Sequence, residues 1–256
     1  MKQIYGIIFG ITILISTSFA QHNHNADGEV TMTSQIAETN AGNINYIFQL
    51  KGNGKPIGDS DLVETHTKKL HLIVYDAALK EFSHVHPEYT AGNWATKIEL
   101  PVSGEYFVWA QGSVKGGIAF SSYQKLKIKG GSQAWKPESL GDHRKASYLG
   151  SVVELSDQKI TAGKMVLVKY TVTRENGTAP SITPYLGAQA HVIAVSPDGK
   201  QLIHVHPMDS GEPNSGAIHA TFPTAGDYRI WVQFIDGEVL KTVPLSVTVI
   251  GKPKRR

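Results

Sequence analysis

Cysteine is missing from all 256 residues. That absence excludes disulfide staples, thiolate nucleophiles, blue-copper centres and cysteine-type zinc sites. Charge is scarce as well. A formal net charge of +3, evenly spread, is too weak to argue for nucleic acid as a partner. No stretch keeps a 3.6-residue apolar period, so long helices are not expected. No Ser/His/Asp elbow, glycine-rich phosphate loop or paired-carboxylate motif stands out. Long hydrophobic runs are limited to one, Ile4 to Ile15, preceded by Lys2 and followed by Ser16-Thr17-Ser18-Phe19-Ala20. A membrane span needs about 20 apolar residues, so this run reads as a secretory signal over residues 1–20, cleaved after Ala20. No cysteine follows it, which excludes a lipid-anchored lipoprotein. The expected mature chain is soluble, without a membrane span, and periplasmic or secreted.

What is present is a repeat. The segment His71-Leu-Ile-Val-Tyr75 through His84-Val-His86-Pro87 matches His191-Val-Ile-Ala-Val195 through His204-Val-His206-Pro207 at an offset of 120 residues. Pro101-Val-Ser-Gly104-Glu-Tyr106 and Trp109-Ala-Gln111 match Pro223-Thr-Ala-Gly226-Asp-Tyr228 and Trp231-Val-Gln233 at an offset of 122. Upstream, Ala41-Gly42 before Ile44–Leu50 matches Ala162-Gly163 before Met165–Thr171. Three blocks in one order mean one domain used twice. Each block is rich in β-branched and aromatic residues and is punctuated by Asn53-Gly54, Asn176-Gly177, Asp198-Gly199 and Asp236-Gly237. The fold expected is all-β: two tandem immunoglobulin-like (cupredoxin-like) β-sandwiches. Their bounds are residues 29–130 and 149–251. Around them lie a flexible N-terminus (21–28), a linker (131–148, with an exposed His143) and a basic tail (252–256). Tyr106 and Tyr228 read as tyrosine corners. Trp109, Gln111, Trp231 and Gln233 alternate out of phase with them and are expected on the opposite face of their strands, as an interdomain contact.

Six of the 11 histidines fall in a duplicated His-x12-His-x-His-Pro pattern. Residues two apart on a strand share a face, roughly 6.6 Å apart, so His84 joins His86 and His204 joins His206. If Asp198-Gly199 is a two-residue turn, paired residue numbers sum to 397, and His191 faces His206 while Ile193 faces His204. In the first repeat the sum is 157 and His71 faces His86. Ala78-Leu79 suits a tight turn poorly, so a four-residue loop from Ala77 to Lys80 is expected there. Each hairpin then carries three imidazoles at one end of a face and apolar side chains at the other. Three imidazole nitrogens can hold a first-row ion at about 2.0–2.1 Å. Packed, hydrogen-bonded core histidines are the competing reading. However, only three of the 13 other positions in the 16-residue block survive between repeats, while all three histidines do. The expected sites are therefore His71, His84 and His86 in one domain, and His191, His204 and His206 in the other. His66, Met208, His22 and His24 are weaker candidates. Copper is the first choice of metal and zinc the second.

The stretch Thr65-His66 through His71-Leu-Ile-Val, with Phe82-Ser-His84-Val-His86-Pro87-Glu88, resembles exported bacterial tandem immunoglobulin-like proteins. The lead-in Pro184-Tyr-Leu-Gly-Ala-Gln-Ala-His191 looks like the same group. The domains are similar to YtkA-like and FixH-like sandwiches, and that likeness implies copper or heavy-metal handling as buffer, carrier or resistance accessory rather than catalysis, with another envelope protein as a possible partner. His-Val-His also occurs in copper/zinc superoxide dismutases and cupins, but the further ligands of both are missing. The alternative is a structural or interaction module without a metal role.

Overall fold

The fold is that of a computed structural model describing residues 30–65, 67–116, 118–205, 207–212 and 214–252. The expected signal, the residue 21–28 segment with His22 and His24, His66, His206 and tail residues 253–256 lie outside the described residues. Each repeat is a two-sheet sandwich. In the first, the outer sheet runs Val30–Ser34, Gly42–Gly52, Asn93–Leu100, Glu88–Thr90. Its inner sheet runs Glu38–Asn40, Ile118–Lys129, Gly104–Val114, Leu70–Asp76, Phe82–Val85. The second repeat has the same plan. Lys145–Tyr148, Ser151–Leu155, Met165–Arg174, Ser215–Thr221 and Met208–Asp209 form its outer sheet. Ile160–Thr161, Val239–Ile250, Gly226–Asp236, His191–Val195 and Leu202–Val205 form the inner one. The chain is thus an all-β pair of immunoglobulin-like sandwiches. Among the described residues no helix is long and apolar enough to cross a membrane.

Alternation explains the outer sheets. Along Gly42–Gly52 the side chains of Ile44, Tyr46, Phe48 and Leu50 are buried and their neighbours face outward. The inner strands break this rule, because Leu70–Asp76 and His191–Val195 are buried at every position. A strand buried on both faces needs a cover on each. Leu70, Leu72 and Val74 enter the first sandwich core, and Val192 and Ala194 the second. The odd-numbered set, Ile73, Tyr75, Phe107, Trp109, Ile193, Val195 and Trp231, forms a third apolar cluster that joins the two domains. The tryptophans are therefore where their phase places them. Interface contacts are reciprocal: the Tyr75 hydroxyl donates to the Gly199 carbonyl (2.8 Å) and Arg229 Nε to the Leu79 carbonyl (3.0 Å), Leu79 and Gly199 being equivalent residues of the two hairpins. Both corner tyrosines bond back as expected, Tyr106 to the Val102 carbonyl (3.0 Å) and Tyr228 with the backbone N–H of Thr224 (3.2 Å).

Two expectations need correction. Asp198-Gly199 is not a two-residue turn, because the Ser196 N–H bonds to the Gln201 carbonyl and encloses four residues, Pro197 to Lys200. The first repeat uses the same loop over Ala77–Lys80, with Leu79 at φ 57° where Gly199 has 70°. Asp76 and Ser196, one from each repeat, accept the N–H that closes the loop. Register is untouched, because a four-residue loop has the same centre as the two-residue one. The second correction concerns the linker. Lys145–Tyr148 pairs with Ser151–Leu155 as the first strand of the second sandwich. Its turn, Leu149-Gly150 at φ 47° and 78°, lacks the Asn-Gly or Asp-Gly chemistry that advertises such turns in a sequence. His143 is exposed, as expected, although its backbone pairs with Ser246.

Candidate metal centre

The strand pairs that carry the histidines have the expected register. Leu72 faces Val85 and Ile73 faces His84 in the first hairpin, while Val192 faces Val205 and Ile193 faces His204 in the second. The five described histidines, His71, His84, His86, His191 and His204, lie on the faces that meet the other domain. They come together across the interface, beside the aromatic cluster, in one imidazole nest rather than in two separate groups.

His84 is its hub. Its ring lies 5.4 Å from His71, 4.8 Å from His86, 5.6 Å from His191 and 5.2 Å from His204, centroid to centroid. His71 also meets His204 at 5.1 Å, and His191 meets His204 at 5.8 Å. His71, His84 and His191 are buried, while His86 and His204 are partly so. Ring nitrogens approach closely: His71 Nδ1 is 3.1 Å from His84 Nε2 and 3.2 Å from His86 Nε2. One nitrogen each from His71, His84 and His204 lie within 4.8 Å of one another. Two ligands bound at about 2.05 Å to one tetrahedral or trigonal ion sit about 3.3–3.6 Å apart, so closing this triad takes movements of about an ångström.

Outer contacts orient the rings. Gln233 Nε2 donates to Thr242 Oγ1 (3.1 Å), which turns its Oε1 to His84 Nδ1 at 3.0 Å. His84 Nδ1 then carries the proton, and Nε2 presents a lone pair. His71 Nε2 faces the Thr65 carbonyl (3.4 Å) and His191 Nε2 the Tyr185 carbonyl (2.9 Å), which turns the Nδ1 edge of the His71 ring toward His84 and His86. His71 Nδ1 and His84 Nε2 thus face one another at 3.1 Å, a distance that suits a proton shared in a neutral imidazole pair or, after a small movement, one ion held by both. Burial, then positive charge on His71, His86 and His191, holds His84 well below its ordinary range. Burial, aided by His71 and Lys68, pulls His86 down to about 3.

The carbonyl contacts escape sequence reasoning on spacing alone. Thr65 and Tyr185 stand six residues before His71 and His191, at the base of tight turns closed by Thr65–Lys68 and Tyr185–Ala188 bonds. The shared offset of 120 and the Leu186-Gly187 pair are the signals that mark them. Gln233 was placed on the right face, but its reach to the other repeat's histidine was not. Of the weaker candidates, Met208 is exposed on the outer sheet, because the chain leaves the inner sheet at Pro207.

The sequence profile of one family matches residues 23–125 and again residues 146–251; its description is Domain of unknown function (DUF8832). The chain belongs to the DUF8832 family. Each sandwich is thus one DUF8832 domain, and this family, rather than the YtkA-like or FixH-like one, is the match. No curated protein matches the chain. Solved structures with tandem modules include the fibronectin(III)-like modules of Clostridium thermocellum CbhA, 15% identical over 89% of this chain and 97% of that one, TM-score 0.26. The Escherichia coli adhesin FdeC is 17% identical over 88% of this chain and 63% of that one, TM-score 0.25. A tetra-tandem repeat from the extending region of a large adhesion protein is 14% identical over 88% of this chain and 50% of that one, TM-score 0.30. In both adhesins this chain spans less than two thirds of the other's length.

Proposed function

We propose that this tandem DUF8832 protein is an exported metal-binding protein that holds one d-block ion, copper first and zinc second, between its two sandwiches. It acts as buffer, carrier or resistance accessory and not as an enzyme. The observation that carries the reading is the convergence of ring nitrogens of His71 and His84, oriented by Thr65 and Gln233, with one from His204 of the other repeat, all within 4.8 Å of one another. Partial likeness of the His…His-x-His-Pro pattern to YtkA-like and FixH-like proteins agrees with copper. The grouped ligands are all imidazoles, and burial holds His84 and His86 neutral, which favours holding an ion.

An ion held at a composite site staples the domains. At a free-ion concentration of 100 times Kd, one bound ion stabilises the folded chain by about 2.7 kcal/mol. For a protein of this size that corresponds to about 5–10 °C in Tm. The test is thermal unfolding with and without copper or zinc, beside His84→Ala. Loss of the whole shift in the variant is expected. A second reading is favoured by the interdomain aromatic cluster, which joins the sandwiches without any ion: a rigid two-domain interaction module. No metal-dependent shift in the unaltered protein would select it.

A further inference from the structure

Equivalent glutamines of the two repeats are built alike but end differently. Gln233 stands opposite His191 on neighbouring strands, and Gln111 stands opposite His71. Each donates its Nε2 to the hydroxyl directly across on the following strand, Thr242 Oγ1 at 3.1 Å and Ser121 Oγ at 3.0 Å. Each amide is thereby anchored at its nitrogen, with Oε1 left to accept. Gln233 Oε1 crosses the interface to His84 Nδ1 at 3.0 Å. Gln111 Oε1 is buried as well, yet it accepts no hydrogen bond.

A buried acceptor without a donor is disfavoured, and in a well-paired structure it calls for an explanation. The repeat relation names the missing donor. Exchanging the repeats turns Gln233, His191 and His84 into Gln111, His71 and His204. The geometry follows the exchange: His191 lies 5.6 Å from His84, and His71 lies 5.1 Å from His204, ring centroid to ring centroid. His204 also belongs to the triad whose nitrogens lie within 4.8 Å of one another, and drawing that triad onto an ion moves its rings. A metal-bound histidine usually donates its other ring N–H to an outer acceptor, which sets its tautomer and orientation. Resting on the metal reading above, we infer that Gln111 is a positioning residue of the ion-bound state. Its Oε1 accepts from His204 Nδ1 as Nε2 turns to the ion, just as Gln233 serves His84. Each repeat then steadies a ligand of the other.

The test uses the full chain with Zn(II) or with Cu(I) supplied anaerobically, both diamagnetic, each in competition with a chelator. Gln111→Met keeps the side-chain length and removes the acceptor. It should weaken ion binding by about 10- to 100-fold. The metal-free melting midpoint should stay near that of the unaltered chain, because Oε1 holds no bond in that state. Gln111→Glu keeps an acceptor at the same place and should restore binding. Nitrogen–proton correlation spectra of the unaltered, ion-loaded protein should show His204 protonated at Nδ1, a readout that does not depend on any variant folding. Unchanged affinity in a folded Gln111→Met protein, no recovery in Gln111→Glu, or His204 protonated at Nε2 would overturn the inference while leaving the site intact. A lowered midpoint with unchanged affinity would give Gln111 a structural role only and overturn it too. Binding of neither ion would remove the site itself, and the inference with it.

Discussion

Acidifying the metal-free protein should weaken it, because folding holds interdomain imidazoles neutral. Burial keeps His84 well below 6.5 and brings His86 to about 3, whereas both titrate near 6.5 in an unfolded chain. Below pH 6.5 the unfolded chain binds protons that the folded chain refuses, so stability is fully present above that pH and falls as pH drops toward 3. A fully buried imidazole loses about 1.4 kcal/mol of stability per pH unit across that window. At pH 5 the buried His84 then contributes a loss of about 2 kcal/mol, and the half-buried, better screened His86 about 1 kcal/mol. Against a typical domain stability of about 5–15 kcal/mol, that is a large fraction. Urea unfolding in the presence of a chelator from pH 7.5 to 4.5 measures it. Trp231, which stacks on Phe82 (4.6 Å) and Tyr75 (6.0 Å) across the interface, supplies a fluorescence signal. The midpoint should hold above pH 7 and decline from pH 6.5 downward. A midpoint that is flat or rises on acidification would refute the protonation argument.

Two further outcomes follow from packing. Trp231→Ala should destabilise the protein by about 3–5 kcal/mol, since the side chain is 2% exposed and fills the interdomain cluster; denaturant unfolding checks this. Asp236→Ala should cost about 3–5 kcal/mol, because it strands Lys241 and Arg174 beside a buried position. The carboxylate also accepts from Ser151 Oγ (2.7 Å) and the Ser181 N–H (2.9 Å). That loss should appear as early melting of the second sandwich, read by amide hydrogen exchange.

Much of this was legible in the sequence, for physical reasons that can be named. Side-chain alternation on a strand has a period of two, so the shared face of His71, Ile73 and Tyr75 follows from numbering alone. Hairpin register survives an error in loop length when the loop grows symmetrically, which is why His204 faces Ile193 although the turn is longer than its Asp198-Gly199 pair suggests. The phase of Trp109 and Trp231 against the corner tyrosines marked the interface. Nothing in the sequence states what a sheet face packs against. Separate triads were therefore the natural reading of two repeats, and the meeting of His71 and His84 with His191 and His204 across the interface is a tertiary fact. Backbone acceptors such as the Tyr185 carbonyl are marked only indirectly, by the Leu186-Gly187 turn that follows, and the Leu149-Gly150 turn hides the strand before it.

The most direct measurement is metal stoichiometry at neutral pH, for the full chain and for His204→Ala, with copper and then zinc. One ion per chain is expected, and the single substitution in the second repeat should remove it even though His71, His84 and His86 are intact. Two ions per chain, falling to one in the variant, would contradict a shared interdomain site.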